Sequence, residues 1–305
     1  MSRPLVSIVT TSYNQARYLE ETIRSVLEQD YEPLEYLVVD DGSTDESPEI
    51  VERYADRLAW WERQDNAGQA AALNRAFSQA RGDLLGFVSS DDTLLPGAVA
   101  LLAAEFERDP ELLLAYGDAV YVDERSQPLG PVPSGDWDLA HMARTGEQIV
   151  PQPASLWSRR AWELAGPFDE RSWALFDTEL YLRIGAHGRV ARVSRPLATF
   201  RLHRESKQLS RQRRMAEECV RFADEFYAGD RVPQALRPYA RAGRASFYRR
   251  GALNLYAAGE IARARRLFLR SLALSPRGLQ RSQASRLLRT LVPESLVRRR
   301  REART

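Results

Sequence analysis

"DLLGFVSSDDTLLP", residues 83–96, decides the fold. An apolar run of Leu84, Leu85, Phe87 and Val88 stops at two serines and two adjacent aspartates, Asp91 and Asp92, before Pro96 opens an apolar helix. Adjacent like charges repel, and carboxylates at the end of a buried strand are costly unless something offsets them. The pattern recurs upstream. "LEYLVVDDGS", residues 34–43, is another short β-branched run that ends in Asp40, Asp41 and a glycine turn.

The flanking segments read as alternating strands and helices. "LVSIVTTSYN" (5–14) opens as a buried strand through Leu5, Val6, Ile8 and Val9. "YLEETIRSVLEQ" (18–29) places Leu19, Ile23, Val26 and Leu27 at helical spacing. Ser47 and Pro48 look like the cap and first position of a helix carrying Ile50, Val51, Tyr54 and Leu58. "LAWWERQ" (58–64) is a third strand, "GQAAALNRAFSQA" (68–80) an Ala-rich helix, "PGAVALLAAEFER" (96–108) a further helix and "LLLAYGDAVYV" (112–122) a further strand. This βαβαβαβαβ order predicts an α/β fold, a mainly parallel sheet with helices on both faces. Both acidic tails fall at C-terminal strand ends, the edge where open α/β sheets bind ligands. There is no GxGxxG after the first strand and no GxxxxGK[ST], which argues against a dinucleotide dehydrogenase and a P-loop nucleotidase.

Length and charge suggest two parts. The 305 residues suit one large domain with an appendage, drawn at 1–204 and 205–305. Residues 1–200 hold 18 Arg against 33 Asp and Glu, a net charge of −15; residues 201–305 hold 26 Lys and Arg against 9, a net charge of +17. Residues 123–148 read as a long Pro- and Gly-bearing loop. Beyond 205 the chain reads as helices, and "GALNLYAAGEIARARRLFLRSLALSP" (251–276) resembles one tetratricopeptide repeat unit. Cys219 alone excludes an internal disulfide and a multi-cysteine metal site, and reads as a packed helix residue. The uncharged run at 93–104 is well short of the roughly 20 residues of a membrane span. The first residues show no signal-peptide pattern, so the expected location is cytoplasmic.

Four blocks together resemble one family: "VSIVTTSYNQARYLEETIRSVLEQDY" (6–31), "LEYLVVDDGSTDES" (34–47), "NAGQAAALNRAFSQARGDLLGFVSSDD" (66–92), and "GPFDE" (166–170) leading to "FDTELYLRI" (176–184). Over residues 4–204 the chain resembles the family 2 glycosyltransferases, inverting enzymes of GT-A fold. The resemblance implies transfer of a sugar from a nucleotide-sugar donor, UDP-type, to a polysaccharide or glycolipid precursor, with a divalent cation, Mn or Mg, and no nucleic acid as partner.

Each motif takes an implied role. Asp92 is the metal ligand and Asp91 the acid nearer ribose, so a cation would offset both charges and that of the departing diphosphate. Thr11 and Tyr13 contact the base, and Asp41 a ring nitrogen of the uracil type. Asn66, Gly68 and Asn74 border the diphosphate and ribose. Asp177 matches the catalytic aspartate that takes the acceptor's proton, with Glu179 as second choice. His203 resembles the family's late His near the metal or diphosphate, while Arg201 and Lys207 are phosphate candidates. Two positions depart from the pattern: Ser89 stands where many members carry Asp, and Phe176 stands where an acid precedes the base. Trp137, Trp157, Trp162 and Trp173 fall on the acceptor side, with Trp137 the candidate lid and Trp157 and Trp162 read as core.

Taken singly, the same residues have plainer explanations: "SDD" as a turn with a capping Asp, Tyr13 as a core aromatic, Asp177 as a helix N-terminal acid. Two further readings stay open. One is a catalytically inert relative that uses its helical part for docking, motivated by Ser89 and Phe176. The other is nucleotidyl transfer, which also uses paired acids and a metal. The Arg-rich tail, residues 296–305, points to an anionic membrane, so that the protein would sit peripherally at its inner face.

Overall fold

The computed structural model describes residues 3–203, 211–229 and 232–276. Contacts among these residues divide the chain into two compact units. The first runs to Leu139 and resumes from Gln148 to His203; the second takes Ala140–Glu147 and then Arg211 onward.

In the first unit the apolar runs become β1 (Val6–Ser12), β2 (Leu34–Asp40), β3 (Trp60–Arg63) and β4 (Leu84–Phe87). They pair in parallel in the order β3-β2-β1-β4, and the register sets Ser12 opposite Asp40. The helices between them are α1 (Ala16–Leu27), α2 (Ser47–Glu52) and α3 (Gln69–Phe77). Apolar side chains at helical spacing on α1, with Leu19, Ile23 and Val26 buried, pack beside Val6, Ile8 and Val38 in one core. Ser47 is the first helical residue of α2 rather than its cap, and the helix stops at Glu52, so Tyr54 and Leu58 pack from the turns beyond it.

Past β4 the sheet becomes mixed, with antiparallel pairs beside one parallel pair. A two-residue β5 (Thr93–Leu94) precedes α4 (Ala98–Arg108), β6 (Leu112–Val122) and β7 (Pro128–Pro131). A strand absent from the sequence reading, β8 (Ser155–Ser158), lies between β4 and β6 and is antiparallel to both. Four residues of "SLWS" are too short to show a periodicity. Then follow α6 (Arg159–Ala165), α7 (Phe176–Gly185) and β9 (Arg189–Arg201), which pairs in parallel with β6 and antiparallel with β5. Between β7 and β8, α5 (Leu139–Thr145) begins at the last residue of the first unit's opening stretch and lies otherwise in the second. The stretch read as a 123–148 loop therefore contains both a strand and a helix.

The second unit holds α8 (Gln212–Arg221), which continues into a π-helical turn at Phe222–Phe226, then α9 (Ala240–Ala257) and α10 (Ile261–Leu274). Gly259, at φ +80°, makes the turn between α9 and α10. Segment Ala140–Glu147 is built into this unit. Tyr227 donates to the Ala143 carbonyl at 2.8 Å and Arg250 to that of Gly146 at 2.6 Å, and Ser246 donates to that of Thr145. Cys219 is fully buried and its thiol is pushed up to about 11 by burial, which fits the packed reading. Among the described residues no helix is long and apolar enough to cross a membrane.

At the N-terminal edge of the sheet, Glu35 is buried on β2. It accepts from Ser7 Oγ at 2.6 Å, from the Arg81 backbone N–H at 2.5 Å and from Arg81 Nε at 3.0 Å. Burial raises its titration point, but these bonds outweigh it and hold the carboxyl below its ordinary 4.5. Its stabilisation is therefore complete above that value and fades as pH falls through the lower folded value. Glu35→Ala is expected to lose about 1–3 kcal/mol in urea unfolding at pH 7, and less than that at pH 3.

Candidate active site

The site is built from the C-terminal ends of the parallel strands. Thr11 and Ser12 close β1, and Asp40 closes β2. All three are buried, yet Thr11 Oγ1, Ser12 Oγ and Asp40 Oδ1 have no hydrogen-bond partner among the described residues. Buried polar atoms are nearly always paired; Ser12 Oγ and Asp40 Oδ1 belong to register partners on one face of the sheet, and Thr11 Oγ1 to the opposite face. The other Asp40 oxygen is used: Oδ2 accepts from the Ser43 N–H at 3.1 Å and lies 3.4 Å from Arg63 Nε. Tyr13, just beyond, is half exposed.

Asp41 does different work. Its Oδ1 accepts from Gln64 Nε2 at 2.8 Å and from the Ala67 N–H at 2.9 Å, and its Oδ2 accepts from the Gly68 N–H at 2.9 Å. It thus shapes the loop ahead of α3, where Gly68 turns at φ +92° and Asn66 is exposed. Asp41, read from the sequence as the residue that meets the base, is engaged here by the loop ahead of α3, and Asp40 beside it is the last residue of β2. The neighbouring loops brace each other. Asn14 donates its N–H to Ser43 Oγ at 2.9 Å and accepts from the Thr44 N–H at 2.8 Å, while Asp45 accepts from the Ala16 N–H at 2.9 Å at the start of α1.

Beyond β4, Asp91 and Asp92 face different ways. The Asp91 carboxylate meets His203 Nε2 at 3.0 Å. Asp92 is turned inward and accepts from the Arg201 N–H at 2.9 Å, while its own carbonyl accepts from Thr22 Oγ1 at 2.7 Å. Burial, then the charge of Asp91, pushes Asp92 well above the usual carboxylate range, against the pull of Arg201. The sequence reading gave the metal to Asp92 and ribose to Asp91; the imidazole stands beside Asp91. The 3.0 Å separation of Asp91 and His203 is that of a direct hydrogen bond, and the carboxylate and imidazole are both groups that bind divalent cations. Among the described residues no group of three His, Cys, Asp or Glu could hold a metal by itself, so substrate or water oxygens would complete the shell.

Arg201, read as a phosphate candidate, is an internal tie instead. It is 1% exposed. Its guanidinium donates to the Asp91 carbonyl at 2.9 Å, the Asp123 carbonyl at 3.0 Å, Ser126 Oγ at 2.9 Å and Glu21 at 2.7 Å, and it lies over the Tyr18 ring. With its donors committed inward it does not reach out for a phosphate. Lys207 and the Arg-rich tail lie outside the described residues.

Asp177 is the second residue of α7. Its Oδ1 accepts from the Thr178 N–H at 2.6 Å and its Oδ2 from Gln148 Nε2 at 2.9 Å. Phe176 before it is buried among Phe87 and Phe168, with ring centres 6.1 and 5.2 Å away, so the residue at the acid position anchors α7 to the end of β4. Glu179 is buried and faces Arg183 at 3.8 Å. Asn74 donates to Phe168 O and to Glu170, both at 3.0 Å, and accepts from the Phe168 N–H, which pins the "GPFDE" loop. Trp157 is buried in the same aromatic cluster, stacked with Trp162. Trp137 packs so tightly on the end of α7 that a Cβ at Gly185 would lie 2.2 Å from its indole.

Residues 7–149 match the family described as glycosyl transferase family 2. A chondroitin synthase of Escherichia coli is 29% identical over 210 residues, covering 68% of this chain and 30% of its own. Protein MT1568 of Mycobacterium tuberculosis (strain CDC 1551 / Oshkosh) is 31% identical over 219 residues, 66% of this chain and 68% of its own. The chain thus spans under a third of the first of these relatives. The mannosyltransferase PcManGT of Pyrobaculum calidifontis, solved with GDP-Man and Mn2+, superposes with a TM-score of 0.60 at 22% identity, over 95% of this chain and 85% of its own. S. aureus TarS 1–349, solved with UDP-GlcNAc, gives 0.61 at 18% identity, over 93% and 88%. At these identities the structures show a shared GT-A fold.

The role of Arg201 is open to direct test. Arg201→Met removes the buried donor of the Asp91 carbonyl, while the Asp123 carbonyl keeps the Ser126 N–H and Glu21 keeps Ser126 Oγ, and is expected to cost about 1–3 kcal/mol. Arg201→Lys, a single point donor, should recover less than half, read by urea unfolding.

Proposed function

The chain belongs to glycosyl transferase family 2, and on that footing we propose that it is an inverting transferase. It moves a sugar from a UDP-type donor to a polysaccharide or glycolipid precursor. The observation that carries this reading is the pair Ser12 Oγ and Asp40 Oδ1, register partners at the ends of β1 and β2 that have no hydrogen-bond partner among the described residues. Uracil presents one ring N–H between two carbonyls. Asp40 has one oxygen without a partner, the other being used by Ser43, so it matches a single N–H better than the adjacent pair that guanine offers. Tyr13 is exposed and suited to stacking on the base, worth about 1–3 kcal/mol. Gly68 lets the loop backbone approach the diphosphate.

In the reaction the acceptor hydroxyl attacks the anomeric carbon opposite the diphosphate. The bond to phosphate breaks, the diphosphate leaves with the electron pair, and Asp177 takes the hydroxyl proton. Asp91 and His203 would hold a divalent cation, with Asp92 behind them; the ion supplies charge stabilisation to the leaving diphosphate. The first unit carries this chemistry, and among the described residues of the second α9 and α10 make one tetratricopeptide-like hairpin. The acceptor is a growing glycan or a glycolipid, in keeping with the synthase relative, and not nucleic acid. Attachment to an anionic membrane through the Arg-rich end would keep the enzyme at the cytoplasmic face where such acceptors lie.

The test is thermal stability against UDP, UDP-sugars and GDP-mannose, each with and without Mn2+. Binding to the folded state raises the midpoint by mass action. UDP ligands should raise it, less so without Mn2+, and Asp40→Ala should abolish the shift while Asp41→Ala lowers the midpoint even without ligand. No shift with any nucleotide would overturn the reading in favour of an inert docking protein. Asp177→Asn should keep the UDP shift but reduce transfer roughly 10²–10⁴-fold.

A further inference from the structure

Gln148 is the residue at which the chain re-enters the first unit, and no motif of the sequence singles it out. Its half-buried carboxamide makes three hydrogen bonds. Nε2 donates to Asp177 Oδ2 at 2.9 Å and to the Val150 carbonyl at 3.2 Å, and Oε1 accepts from Thr178 Oγ1. Two acceptors on one side and a hydroxyl on the other fix which end of the amide is nitrogen. Thr178 closes the ring, because its backbone N–H donates to Asp177 Oδ1 at 2.6 Å. The two oxygens of Asp177 are thus held from opposite sides, one by its own helix and one by Gln148. A carboxylate held at both oxygens cannot rotate about its last side-chain bond, so the lone pair offered to an acceptor hydroxyl keeps one direction. Proton transfer depends steeply on that direction.

We infer that Gln148 is the positioning residue of the general base: it orients the Asp177 carboxylate toward the acceptor and touches neither substrate. This rests on the reading of Asp177 as base. A residue that only packed the loop would not need a donor on Asp177 and an acceptor on Thr178 at once. An apolar side chain of similar size would fill the same space without either bond.

The experiment uses the full chain, UDP-sugar donor and a soluble acceptor, with four measurements: kcat, donor KM, acceptor KM, and the midpoint shift given by UDP. Gln148→Leu keeps the volume and removes the three bonds. It is expected to lower kcat about 10- to 100-fold, with donor KM and the UDP shift unchanged within twofold. Gln148→Glu keeps an acceptor for Thr178 but sets a second carboxylate against Asp177, and should lower kcat at least as far. Gln148→His, which restores a donor, should recover part of the loss. Near-normal kcat in Gln148→Leu, or a loss shared equally by donor KM and the unliganded midpoint, would overturn the inference. If Asp177→Asn retains full activity, the base assignment itself falls and this inference with it. If Asp177→Asn is inactive while Gln148→Leu is normal, the inference alone falls.

Discussion

Arg201 carries a full charge into a place where it is 1% exposed. A bare ion there would cost several kcal/mol, so its position exists only because each side of the guanidinium is met. What meets it comes from separate parts of the chain: the Asp91 carbonyl after β4, the Asp123 carbonyl and Ser126 in the turn after β6, and Glu21 on α1. Its backbone N–H adds the Asp92 carboxylate. The acidic turn is therefore held from behind by a cation two residues before His203, which meets Asp91 from the other side. The strand end can keep two adjacent acids because one is drawn inward by this network and the other left facing the imidazole.

Much of this was legible in the sequence, because strands and helices announce themselves by period and acids at strand ends by their cost. The alternation of apolar runs and helices and the buried Cys219 follow from local pattern, and the GT-A fold from the resemblance of four sequence blocks to one family. What was not legible depends on contacts between distant residues. Nothing in "VVDDGS" says that Asp41 will find two backbone N–H groups some 26 residues on while one Asp40 oxygen finds none. Nothing in "FRLH" says that Arg201 points inward. β8 was missed because four residues hold no period, and because an antiparallel insertion between parallel strands is a choice made by the long connection before it.

Phe176 shows how a departure from a family pattern can be physical rather than functional. The sequence reading counted it as a lost acid. In the fold its ring is one of a cluster with Phe87, Phe168, Trp157 and Trp162 beneath the start of α7. A carboxylate at that place would be buried among aromatic faces with a desolvation cost and no gain. The ring instead fixes the helix whose next residue is Asp177.

The crossing of the chain between its two units has a genetic meaning. It enters the helical unit at Ala140, leaves it after Glu147 and is back in it at Arg211. The units are interleaved rather than joined in tandem. A splice at the last crossing alone would strip Ala140–Glu147 of Tyr227, Ser246 and Arg250 and leave three backbone carbonyls without their donors. Moving either unit into another protein needs matched cuts at three places, so recombination at a single joint cannot trade the helical part as a cassette.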